Sequence, residues 1–160
     1  MSRFVIRGVT KRNREALLSL VDALADFEKL ARPTPAARKR LLRDCCGTRK
    51  RFDAFISFLD GKAVGYAITF KTYSSFLALP TLYLEDIFIL PEYRKRGIGG
   101  KLFRHCYRRA KSNHCGRMEW VVLDWNRNAI RFYDRIGATQ LDNWLLYRLT
   151  LASKKKSGIL

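Results

Sequence analysis

The stretch Tyr83-Leu84-Glu85-Asp86-Ile87-Phe88-Ile89-Leu90-Pro91-Glu92-Tyr93-Arg94-Lys95-Arg96-Gly97-Ile98-Gly99-Gly100-Lys101-Leu102 decides how this chain folds. From Leu82 to Leu90 it is apolar on both alternating faces, so it reads as a central strand, which Pro91 ends. Beyond the glycines, Ile98, Leu102, Cys106 and Ala110 form a stripe at helical spacing, while Lys101, Arg104, Arg108 and Lys111 occupy the other side. That pattern predicts a helix from Gly97 to about Asn113. A strand, a short basic glycine loop and an amphipathic helix thus follow one another.

Upstream, Arg3 to Arg7 reads as a short strand. It precedes a helix whose apolar residues Leu17, Leu20, Val21, Leu24, Phe27 and Leu30 recur at three and four, with Thr10 or Asn13 as its cap. Pro33 and Pro35 punctuate the chain before a second helix, Ala36 to about Cys45. Phe52 to Leu59 and Ala63 to Lys71 flank Asp60-Gly61, a hairpin turn, and Thr72 to Leu79 reads as a loop. Downstream, a strand is expected from Met118 to Asp124. A helix follows from Asn126 to Ile136 with Gly137 as its stop, and a last strand from Leu141 to Leu151. The order β-α-α-β-β-β-α-β-α-β argues an α/β fold with a mixed sheet and helices on both faces. Residues 1–152 are expected to form one domain, and 153–160 a basic flexible tail.

Composition narrows the function. The 32 Lys+Arg against 14 Asp+Glu give +18, a field that draws anions such as nucleic acid, acidic lipid or a polyphosphate cofactor. Cys45, Cys46, Cys106 and Cys115 form no CxxC pair and the chain has two histidines, so neither a zinc site nor a redox motif has its spacing. The N-terminus lacks a signal peptide's apolar stretch, and no run approaches the ~18 apolar residues of a membrane helix, so a cytoplasmic location without membrane contact is the expectation.

The loop at Arg94 to Gly99 leaves a strand and opens a helix, which puts unpaired backbone N–H groups at the positive end of the helix dipole. Gly97 and Gly99 admit close approach, and Arg94, Lys95 and Arg96 add charge suited to a ligand with several phosphates. As a bare pattern it is either an ordinary glycine turn or a phosphate cradle; it is neither a Walker loop nor a GxGxxG fingerprint. Glu85 and Asp86 interrupt an apolar strand, where an unpaired buried carboxylate is costly. They are either edge charges that resist aggregation or part of a site. Asn126 can cap the helix that carries Ala129 and Tyr133, and Tyr133 is either a core tyrosine or a functional phenol.

Taken together, these residues resemble the GCN5-related N-acetyltransferase superfamily, whose acetyl-CoA motif [RQ]xxGx[GA] corresponds here to Arg94 to Gly99. The sequence is most similar to the spermidine/spermine (diamine) acetyltransferase branch. The likeness runs through Phe4-Val5-Ile6-Arg7, Tyr83-Leu84-Glu85-Asp86, Tyr93-Arg94, Gly97-Ile98-Gly99, Trp125-Asn126, Phe132-Tyr133 and Gly137-Ala138. The resemblance implies a mostly antiparallel sheet and direct transfer of acetyl from acetyl-CoA to a primary amine, without a metal or an acyl-enzyme. It implies Glu85 as base, through water, and Tyr133 as proton donor to the departing thiolate. It places the cofactor on Ile87, Phe88, Ile89, Arg94, Lys95, Arg96, Gly97, Ile98, Gly99, Gly100, Asn126, Ala129 and Tyr133. Its substrate positions correspond to Phe27, Glu28, Glu85, Asp86, Glu119, Trp120, Val121 and Trp144. Members of the branch are commonly homodimers.

Lys29 to Pro33 and Ser74-Ser75 depart from the acidic character that polyamine acetylators show there, which points to a shorter amine, a diamine or a thialysine-like amino acid. Two rivals stand beside this reading. One is acetylation of a protein amine, such as a ribosomal protein N-terminus. The other is a basic nucleic-acid-binding module, motivated by Arg38, Lys39, Arg40, Arg43, Arg49, Lys50 and Arg51, and by Arg104, Arg108, Arg109 and Lys111.

Overall fold

The computed structural model describes residues 3–151, so the tail expected at 153–160 lies outside the described residues. Its elements are β1 (Phe4–Gly8), α1 (Arg14–Phe27), α2 (Pro35–Cys46), β2 (Asp53–Leu59), β3 (Lys62–Ser74), β4 (Leu79–Ile89), α3 (Ile98–Ser112), β5 (Arg117–Glu119) and α4 (Arg127–Arg135). A 3-10 turn at Pro91–Tyr93 follows β4. The described residues group into two compact units that divide after Val121.

In the first unit the five strands lie in the order β1-β2-β3-β4-β5. The first four pair antiparallel and β5 pairs parallel to β4. Asp60 and Gly61, both left-handed at φ 49 and 81, form the two-residue turn between β2 and β3 whose twist suits the strands. Thr34 starts α2: its hydroxyl accepts from Ala37 N at 3.2 Å, and Pro35 occupies the first turn. Asn13 precedes α1 without capping it, because its Oδ1 accepts instead from Thr10 N at 2.7 Å.

Helices cover both faces of the sheet. On one face Ile98, Leu102, Cys106 and Ala110 of α3 pack with Phe55, Val64, Ala67, Leu82, Leu84 and Ile89. On the other, Leu17 and Leu20 of α1 and Cys45 of α2 pack with Ala54, Ile56, Tyr66, Ile68 and Phe88.

Three expectations are corrected. The segment expected as a loop at 72–79 is mostly hairpin, because β3 runs on to Ser74 and pairs with Leu79 across a short turn. The strand expected to reach Asp124 stops at Glu119, where its pairing with β4 ends. The last strand expected at Leu141–Leu151 is not a strand among the described residues. Alternating apolar residues mark a chain that is able to pair but do not supply the neighbouring backbone that makes it a strand.

In the second unit α4 carries Asn126 at its start, whose Oδ1 accepts from Ala129 N at 3.3 Å, so the capping expectation holds. Gly137, at φ 81, follows the helix in the left-handed conformation expected of a stop.

Candidate active site

One irregularity in β4 organises the site. Ile68 pairs with Asp86 and Thr69 with Leu84, which leaves Glu85 as an extra residue, a β-bulge. The bulge reverses the alternation: Leu82 and Leu84 point to the α3 face, while past Glu85 it is Phe88 that joins the α1 face. Without it Asp86 would sit on the same face as Leu84. Glu85 itself is exposed.

Asp86 lies beside Tyr66 of β3. The Tyr66 side chain is fully buried and its hydroxyl donates to Asp86 Oδ2 at 3.1 Å. Burial pushes the Asp86 carboxyl up to about 6; the Tyr66 hydrogen bond works in the opposite direction, and the nearby charges of Glu85 and Glu28 add to the rise. Tyr66 is raised too, first by burial and then by Asp86, with Glu28 and Glu85 contributing. Glu28 caps the C-terminal end of α1 and is raised by burial. Three carboxylates therefore converge around one buried phenol in a chain of net charge +18.

Arg94 joins this cluster to the loop. Its Nε donates to Ile89 O at 2.9 Å, and its guanidinium lies 4.3 Å from the Phe27 ring centroid and 5.4 Å from that of Phe88. The Phe27 and Phe88 rings are 5.8 Å apart. The head group of Arg94, expected to serve phosphates, thus lies against β4 and the end of α1. Partial burial lowers its pKa.

The rest of the loop has the character of an anion cradle. Gly97 is left-handed at φ 74, and a Cβ there would meet nothing within 4 Å. No side chain among the described residues caps α3, and its first helical bond runs from Lys101 N to Gly97 O at 3.1 Å, which leaves the amides of Ile98, Gly99 and Gly100 without a helical acceptor. Lys95 and Arg96 are exposed, with Arg96 5.4 Å from the Tyr93 ring centroid. Between β4 and β5 the pairing covers only Thr81–Tyr83 against Arg117–Glu119, so Ile87, Phe88 and Ile89 have no partner strand on that side among the described residues. These features fit a polyphosphate ligand with an extended arm, which is the form of coenzyme A.

The structure brings together Phe27, Glu28, Glu85 and Asp86. Glu119 contributes beside them at Tyr83, whose phenol is raised by burial and then by Glu85 and Glu119; it also pairs with Arg117 at 2.9 Å. Trp120 is placed differently, packing edge-on against Phe103 of α3 at 5.3 Å on the opposite face from Tyr66. Val121 is 57% exposed. In the second unit Tyr133 is half-buried, its phenol pushed up to about 12 by burial, with its ring 5.5 Å from that of Phe132; Trp144 is 74% exposed. Sequence reasoning missed Tyr66. Its only signal is a tyrosine in an apolar strand, which needs a partner for its hydroxyl once buried.

No helix among the described residues is long and apolar enough to cross a membrane, and no cluster of His, Cys, Asp or Glu among them could hold a metal ion.

Known proteins resemble this chain in sequence and in fold. A thialysine N-epsilon-acetyltransferase of Caenorhabditis elegans is 31% identical over 98% of this chain and 98% of its own length. An L-ornithine N5-acetyltransferase of Arabidopsis thaliana is 43% identical over 57% of this chain and 40% of its own. An aminoglycoside N-acetyltransferase solved in complex with CoA superposes with a TM-score of 0.75 at 23% identity, over 94% of this chain and 97% of that one, a likeness of fold. The model of the acetyltransferase (GNAT) family matches residues 17–138. The chain therefore belongs to the acetyltransferase (GNAT) family and is an acetyl-CoA-dependent N-acetyltransferase.

Proposed function

We propose that this enzyme acetylates a primary amine of a small molecule, a diamine, a polyamine or a thialysine-like amino acid. The convergence of Glu28, Glu85 and Asp86 at the β4 bulge carries the reading. It is a local acidic site on a strongly basic chain, and so suits a compact cation rather than a polyanion. The similarity to a thialysine and an ornithine acetyltransferase supports the same class of acceptor.

Acetyl-coenzyme A supplies an acetyl thioester open to direct attack. The amides of Ile98 to Gly100, with Lys95 and Arg96, would hold its phosphates, and the unpartnered edge at Ile87 to Ile89 would hold its arm. An alkyl ammonium has a pKa of about 10, so it arrives charged and must lose a proton before attacking. The carboxylates hold the ammonium, and Glu85, exposed on the bulge, takes the proton through water. Tyr133, whose phenol stays protonated throughout the working range, gives a proton to the departing sulfur. Asn126 and Ala129 at the start of α4 complete the cofactor's contacts, and Glu119, Val121 and Trp144 those of the acceptor, while Trp120 packs behind the sheet against Phe103. A cytoplasmic homodimer, with nucleic acid as a secondary partner of its basic surface, completes the proposal.

The test is acetyl-CoA consumption over a panel of diamines, polyamines, lysine analogues and peptides. Turnover of short amines is expected; turnover of peptides with none of the small amines would overturn the reading.

A further inference from the structure

The hydroxyl of Tyr66 is a buried donor whose acceptor is a carboxyl of the site, and nothing in the chemistry of acetyl transfer requires a phenol there. The fold puts it in place through two features. Tyr66 sits on β3 in the α1-side core, where its ring lies 6.4 Å from Phe88, and the bulge at Glu85 turns Asp86 onto that same face. The hydroxyl then reaches Asp86 Oδ2 at 3.1 Å.

The surroundings of Asp86 are strongly one-sided. From β4 itself comes Glu85, from the end of α1 comes Glu28, and from β3 comes the neutral phenol of Tyr66. The nearby cation Arg94 is directed elsewhere, onto Ile89 O and the rings of Phe27 and Phe88. Burial and two like charges all favour the protonated acid, and among the described residues it is the phenol that favours the carboxylate. A protonated Asp86 would offer an arriving ammonium no charge at that position.

The geometry points to Tyr66 as a positioning residue of the acceptor site: its hydroxyl fixes Asp86 as an oriented carboxylate, and ionisation of this pair gates capture of the ammonium. Glu85 keeps its role as base; Asp86 decides whether the cation is held. The inference rests on the acceptor reading above and deepens it. It predicts that the acid limb of kcat/KM for the amine falls near the Asp86 midpoint of about 6, with activity lost as pH drops through that value.

The experiment compares wild type with Tyr66→Phe and Asp86→Asn in two measurements. The first is the titration of the Asp86 carboxyl, followed by NMR of protein labelled with carboxyl-13C aspartate and assigned by the signal missing in Asp86→Asn. It requires no substrate. The second is the pH profile of kcat/KM for whichever amine is turned over. Losing a hydrogen bond to a charged acceptor is expected to raise the Tyr66→Phe midpoint by about one pH unit. At pH 5 that lowers kcat/KM about tenfold, with recovery toward wild type at pH 8.5. Asp86→Asn should remove the limb near pH 6. An Asp86 midpoint unmoved in Tyr66→Phe, or a limb that stays near pH 6 in Asp86→Asn, would overturn the inference. Failure to turn over any small amine, with the NMR midpoint still displaced, would instead count against the acceptor reading alone. Should Tyr66→Phe not fold, the limb in Asp86→Asn decides.

Discussion

Replacing Arg94 with methionine tests how the loop, β4 and the end of α1 are tied together. Methionine keeps much of the side-chain length and apolar stem but removes the donor to Ile89 O and the charge over Phe27 and Phe88. A hydrogen bond involving a charged group contributes about 1.5–3 kcal/mol, and the carbonyl it leaves belongs to the buried Ile89. A partly exposed cation over aromatic rings adds about 0.5–1 kcal/mol. The expected loss is therefore about 2–4 kcal/mol, read as a lower urea midpoint with unchanged slope. Glutamine, which keeps a donor but not the charge, should lose about half as much, separating the two contributions. Because Phe27 adjoins Glu28, freeing the end of α1 should also misplace that carboxylate. We expect KM for the amine to rise about tenfold, or ~1.4 kcal/mol, and KM for acetyl-CoA to change less. If Arg94→Met were as stable as wild type, or raised KM for acetyl-CoA alone, the assignment of this guanidinium to the protein would be wrong and the phosphates would be its partner.

Two further outcomes are expected. Tyr133→Phe should lower kcat about a hundredfold with little change in acetyl-CoA affinity measured by calorimetry, because only the donated proton is removed; an unchanged kcat would leave Tyr133 a packing residue. Gly65→Ala should destabilise by about 1–3 kcal/mol in thermal unfolding, since its Cβ would lie 2.6 Å from Phe88 O and against the Ile89 side chain, forcing β3 off β4; a wild-type Tm would show that the two strands can shift apart freely there.

Much of the fold was legible because the signals are local. The stripe Ile98, Leu102, Cys106 and Ala110 specifies a buried helix face, and all four residues are buried. Asp60-Gly61 demands its turn through φ alone, and Gly97 sits where a left-handed residue must admit the chain to α3. The segment Leu141–Leu151 was misread because its apolar residues specify no partner.

The site divides along the same line. The sequence by itself determined the residue types: acids inside an apolar strand, a basic glycine loop before a helix, and an asparagine-started helix carrying Tyr133. Only the tertiary structure decided their arrangement. One extra residue at Glu85 changes which face Asp86 presents, and strand pairing over residues distant in the chain, not the identity of either acid, creates that bulge. The same packing turns Arg94 back onto Phe27 and sets Tyr66 against Asp86. Hydrogen bonds and charge contacts fall off over a few ångströms, so their partners are fixed by where the folded backbone places them, and spacing along the chain carries no record of that.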